Sequence, residues 1–113
     1  MIELRIYRRF LELIECGKKS LEIRVGYDRI NSIRPGAELR LVSEDHSVLC
    51  QVVDVRRYPS FVEMLRNEDV EKALPGMCPE EALRQLRQIY PHDKERLGVV
   101  VLDVRRSLTY LPE

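Results

Sequence analysis

The sequence predicts an α+β fold: a small, partly closed β-barrel with short flanking helices. Two observations carry it. Apolar and polar residues alternate with period two in several short runs, while others carry apolar residues at helical spacing. The order of these segments reads β-α-β-β-β-ααα-β, which is not the regular alternation of a parallel α/β sheet. The 113 residues read as a single domain, 1–113, because domains run to about 100–200 residues. A chain of this size buries on the order of two-thirds of its unfolded surface, so it needs neither disulfides nor a metal to fold.

Each element has its own signal. Ile2-Glu3-Leu4-Arg5-Ile6 alternates, as a half-buried strand does. Arg8 to Cys16 follows as a short helix, with Phe10, Leu13 and Ile14 at helical spacing and Gly17 where a helix stops. Lys19 to Val25 alternates again, placing Leu21, Ile23 and Val25 on one face and Ser20, Glu22 and Arg24 on the other. Asn31 to Gly36 is irregular and ends in the turn pair Pro35-Gly36. Ala37 to Val42 is a strand, Ser43 to Ser47 a polar hairpin loop. Val48 to Val55 is almost continuously apolar, which predicts a strand covered on both faces; Tyr58-Pro59 ends it. Ser60-Phe61-Val62-Glu63 is a capping box opening a helix to about Asn67. Val70, Ala73 and Leu74 mark a second short helix, closed by Pro75-Gly76. Pro79 opens a third, with Glu80 and Glu81 near its positive end, an apolar stripe of Leu83, Leu86, Ile89 and Tyr90, and Pro91 as its stop. Leu97 to Arg105 is the last strand. Val52 to Arg57 resembles Val101 to Arg106, but their surroundings differ, so these are two similar strands and not a duplicated unit.

Composition narrows the function classes. Hydrophobic residues make up 44% and charged residues 34%, which excludes a disordered tail. Nineteen basic residues balance nineteen acidic ones, which excludes a general polycation but not a local basic cleft. No stretch approaches the roughly 20 apolar residues of a membrane span. Glu3, Arg5, Arg8 and Arg9 interrupt any signal-peptide core. These features predict a cytoplasmic protein without a membrane partner. Cys16, Cys50 and Cys78 are odd in number, unpaired in motif and flanked by apolar residues, which predicts buried free thiols. His46 and His92 have no close cysteine spacing, so neither a metal site nor a cofactor is expected.

The chemistry concentrates in Gly17-Lys18-Lys19-Ser20-Leu21-Glu22-Ile23-Arg24, a glycine turn between helix and strand. Lys18 or Lys19 can hold a phosphate as a point charge, and Arg24 can hold a phosphate or base edge with its planar fork. Glu22 can orient these cations or accept from a base amino group. The bland alternative is a solvated helix exit followed by a surface ion pair worth about 0–1 kcal/mol.

Gly17, Lys19, Glu22 and Arg24 match, position by position, the GxKxxExR signature of the ASCH domain, a branch of the PUA-like superfamily, which this chain resembles. The resemblance continues through Ile33-Arg34-Pro35-Gly36, although Ala37-Glu38 replaces the usual aspartate after the glycine. It also covers Val52 to Met64, Leu74-Pro75-Gly76 and the helix ending at Tyr90, so it spans almost the whole chain. It implies a PUA-like barrel that binds RNA or a nucleotide in a cleft lined by Lys19, Glu22 and Arg24, with Gly17 shaping the turn. Tyr58 and Ser60 are further candidates for the cleft wall, Tyr58 by stacking on a base; the alternative for Tyr58 is a ring at the barrel edge. Tyr90 is most simply core.

Two other function classes stand beside this one. Similar small ASCH proteins are amidohydrolases that deacetylate acetylated cytidine. On that reading Lys19 falls on the family's lysine and is a catalytic candidate together with Glu22. Glu22 stands where those enzymes have a threonine, and their distant glutamate falls near 74–77, where this chain has no acid. Strand alternation also sets Lys19 and Glu22 on opposite faces, unless the strand begins after Lys19. The third class is a protein-binding adaptor using Arg8-Arg9, Arg56-Arg57 and Arg105-Arg106, with Asp54 and Asp103 diluting the field; the sequence identifies no protein partner.

Overall fold

In the computed structural model, residues 1–107 are described; positions 108–113 of the expected domain lie outside them. The elements in chain order are β1 (Ile2–Arg5), α1 (Arg8–Glu15), β2 (Leu21–Val25), α2 (Asp28–Asn31), β3 (Glu38–Ser43), β4 (His46–Tyr58), α3 (Phe61–Asn67), α4 (Val70–Ala73), α5 (Pro79–Ile89), a 3₁₀ segment His92–Leu97, and β5 (Val99–Arg106). The five strands form one mixed sheet in the order β1-β3-β4-β5-β2. β1 pairs parallel with β3, and the other neighbours are antiparallel.

β4 bends the sheet into a half-barrel. Its first half pairs with β3 and its second with β5, and the register slips between Val52 and Asp54, leaving Val53 as the extra residue of a bulge. Val53 is exposed, as are Leu49 and Gln51 on the same face of the strand. The expectation that this strand is covered on both faces is corrected: β4 alternates, with Val48, Cys50 and Val52 inside. The fully covered strand is β5, where Val99, Val100, Val101 and Leu102 are all buried between helices and barrel interior. Burying each such side chain contributes on the order of 1.5–3 kcal/mol.

The hairpin β3–β4 turns on Glu44-Asp45, with Glu44 at positive φ, shorter than the loop read from composition. The short α2 and the 3₁₀ segment carry no apolar periodicity of their own, and the sequence reading did not separate them from loop. Ser60 caps α3 by accepting from the Glu63 amide at 3.1 Å. The reciprocal half of the expected box, from the Ser60 amide to Glu63, is not made: the Glu63 carboxylate pairs with Arg66. Among the cysteines only Cys50 is buried; Cys16 and Cys78 are exposed, because each sits at a helix end where flanking apolar residues turn inward and the thiol does not. No helix among the described residues is long and apolar enough to cross a membrane.

Candidate nucleotide-binding site

Gly17 ends α1 in the left-handed region, at φ 86°. The Lys19 amide then donates back to the Leu13 carbonyl, and the Ser20 amide to the Lys72 carbonyl at the end of α4. This clamps residues 17–20 into a sharp exit, so β2 begins at Leu21, after Lys19. The strict alternation that separated Lys19 from Glu22 therefore does not apply. Lys19 turns inward, and its Nζ lies 3.3 Å from Glu22 Oε1.

The Lys19 ammonium is only 2% exposed. It donates to the Leu21 carbonyl at 2.6 Å and to the Ala73 carbonyl at 2.5 Å. These two hydrogen bonds and the ion pair with Glu22 are how the buried cation is tolerated. Burial pulls the Lys19 pKa below its ordinary value, with Glu22 opposing. The Phe10 ring lies 5.3 Å from the ammonium. Glu22 is gripped from its other side by Arg24, whose Nε and Nη2 reach Oε2 at 2.9 and 2.8 Å. Burial works against the Arg24 charge, but Glu22 overcomes it and holds the guanidinium pKa above its usual value.

Arg24 also closes the barrel. β1 and β2 are the sheet's two edges and do not pair with each other. The seam between them is bridged by side chains: Arg24 Nη2 donates to the Arg5 carbonyl at 2.7 Å, and Arg29 donates to the Glu3 carbonyl. At this seam lies a cavity of about 410 Å³ into which Lys19, Glu22 and Arg24 converge. Its walls include Tyr7, Phe10, Leu74, Leu86 and Tyr90, and Glu44 of the hairpin lies at its border. The Tyr90 hydroxyl donates to the Ile23 carbonyl at 2.9 Å, pinning the end of α5 over β2.

The structure thus brings together Lys19, Glu22 and Arg24. Gly17 makes the turn that aims Lys19, and Lys18 stays exposed on that turn. Tyr58 and Ser60 lie apart, outside the residues that line this cavity. The Tyr58 hydroxyl donates to Glu68, and Ser60 is occupied as the cap of α3. Sequence reasoning missed Tyr7, Phe10 and Tyr90 as walls. Phe10 and Tyr90 fell on helical apolar stripes and read as core. One signal was available for Tyr90: a tyrosine at the end of a packing face needs a partner for its hydroxyl.

The ASCH domain family matches residues 4–106. The chain belongs to the ASCH domain family. Among solved structures, the hypothetical protein PH0355 is 32% identical, with a TM-score of 0.86 over 93% of this chain and 97% of that one. Protein PF0455 from Pyrococcus furiosus is 33% identical, with a TM-score of 0.76 over 93% and 96%. The ASCH protein from Zymomonas mobilis shares the fold at 14% identity, with a TM-score of 0.63 over 91% and 65%. No curated protein matches the chain. The five-stranded half-barrel with flanking helices is the ASCH, PUA-like architecture expected from the motif.

Proposed function

We propose that this ASCH domain binds RNA or a modified nucleoside in the cavity beside Lys19, Glu22 and Arg24. The observation that carries the reading is the convergence of two cations and one carboxylate in a cavity of about 410 Å³ with three aromatic rings in its walls. Pockets that bury small ligands span roughly 300–1,000 Å³. Hydrogen-bond capacity divides the roles. Lys19 is buried, donates to two backbone carbonyls and is ion-paired with Glu22 at 3.3 Å, so Lys19 positions Glu22 rather than touching ligand. A carboxylate offers about four acceptor sites. Both Arg24 nitrogens converge on Oε2, while Oε1 meets only the Lys19 ion-pair contact at 3.3 Å and is the oxygen left for a base amino group. Arg24 Nη1 takes no protein acceptor among the described residues and is the donor left for a base carbonyl or phosphate.

A second reading, deacylation of an N-acylated cytidine, has one observation in its favour: Lys19 and Glu22 are in contact. Against it, Lys19 already donates to the Leu21 and Ala73 carbonyls and is ion-paired with Glu22. As for an adaptor face of arginine pairs, Arg56 is engaged by Glu68, Asp54 and Asp103.

Equilibrium binding of single-stranded RNA, cytidine and acetylcytidine to wild type, Arg24→Ala and Glu22→Gln tests the proposal. Each substitution should weaken binding about tenfold or more, since a charge-assisted hydrogen bond contributes about 1.5–3 kcal/mol. Affinities equal to wild type at both low and moderate salt would remove these contacts. Chromatography of the acetylcytidine mixtures separates the readings: released cytidine that disappears in Glu22→Gln marks an amidohydrolase.

A further inference from the structure

A second cavity, of about 460 Å³, opens on the far side of Arg24. It is lined by Tyr27, Arg29 and Ile30, and it shares Arg5, Arg24 and Tyr90 with the first. The two cavities are therefore neighbours along the seam between β1 and β2, divided by an arginine. We propose that this second cavity is the subsite for an adjoining nucleotide, so that the domain's ligand is a strand of at least two linked ribonucleotides and not a free nucleoside. The proposal rests on the nucleotide-binding reading above and specifies its substrate class.

Three features of the seam carry it. The first is charge at the junction. Arg24 lines both cavities with Nη1 uncommitted, and the Arg5 guanidinium has no carboxylate partner among the described residues. Two such cations between two cavities suit a phosphodiester between two bases. The second is the aromatic supply. Tyr27 is 41% exposed at the second cavity, a ring available for stacking, as single-stranded nucleic acid requires. The third is the seam itself. Because no ladder joins β1 and β2, the groove between them stays open, its two edges held only by Arg24 of β2 on the Arg5 carbonyl and Arg29 of α2 on the Glu3 carbonyl. A single nucleoside fills one cavity and leaves the Tyr27 ring unstacked.

The test compares affinities for ribonucleoside monophosphates of A, C, G and U with those for ribodinucleotides built from them. A monophosphate already carries the phosphate, so any gain reports the second base. The best dinucleotide should bind about tenfold or more tightly than the best monophosphate. Tyr27→Ala should remove that gain and leave monophosphate affinity unchanged, while Tyr27→Phe should keep it. Tyr27 is exposed, and an unchanged melting temperature confirms that the variants fold. Monophosphate binding with no gain for any dinucleotide, or a gain that survives Tyr27→Ala, overturns the second subsite alone. Failure of every monophosphate and dinucleotide to bind overturns the nucleotide-binding reading with it.

Discussion

Two arginine–carboxylate clusters sit on this barrel and solve different problems. In one, Arg24 and Lys19 hold Glu22, with Lys19 and Glu22 only 2% and 7% exposed. In the other, Arg56 grips Glu68 at 2.7 Å while reaching Asp54 and Asp103 on adjacent strands, and Arg56 is 31% exposed. The second cluster is closed on itself. Its arginine meets three carboxylates, and the Tyr58 hydroxyl adds a donor to Glu68. It stabilises the β4–β5 pairing by separating Asp54 from Asp103, which face each other in register. The first cluster keeps a donor and an acceptor site uncommitted beside a cavity. Similar residue types thus make a fastener in one place and the proposed binding site in the other. Burial and the count of leftover valences decide which.

The largest effect should come from Lys19→Met. It leaves the Leu21 and Ala73 carbonyls buried without their donor and Glu22 with Arg24 as its remaining cation, and each buried acceptor left unsatisfied costs about 1–3 kcal/mol, read in urea unfolding. A loss no greater than that of Glu68→Gln would erase the distinction between the clusters. Glu68→Gln itself should cost about 1–3 kcal/mol while leaving RNA affinity unchanged. It should also flatten the acid limb of the stability curve. The hydrogen bonds from Arg56 hold the Glu68 and Asp54 carboxyls below the usual range. Folded pKa values below the unfolded ones mean stability fully present above the ordinary carboxylate range, about 4, and lost as pH falls through the lowered values. Thermal melts from pH 6 downward should therefore drop less steeply in Glu68→Gln than in wild type. Gly17→Ala should cost about 1 kcal/mol, because the residue sits at φ 86° while nothing within 4 Å blocks a methyl group. The smallest effect belongs to Arg66→Ala. Its pair with Glu63 is 69% and 44% exposed, and the loss should stay within about 0.5 kcal/mol.

What the sequence determined by itself was what short-range chemistry controls. Alternation marked β1, β2 and β3, an apolar run marked β5, glycine and proline marked the ends of α1, α4 and α5, and the GxKxxExR residues marked the proposed site. The bend of β4 was illegible because a bulge is a property of the pairing between two strands, and an apolar run reads the same straight or bent. The inward turn of Lys19 was decided by the carbonyl of Ala73, 54 residues away. The cavity needed Tyr90, 67 residues from the Ile23 carbonyl that receives its hydroxyl, and Arg5, whose carbonyl lies 19 residues from Arg24. Periodicity reports which face of an element is apolar. It cannot report which distant element will cover that face, and here the choice between core and cavity wall rested on that alone.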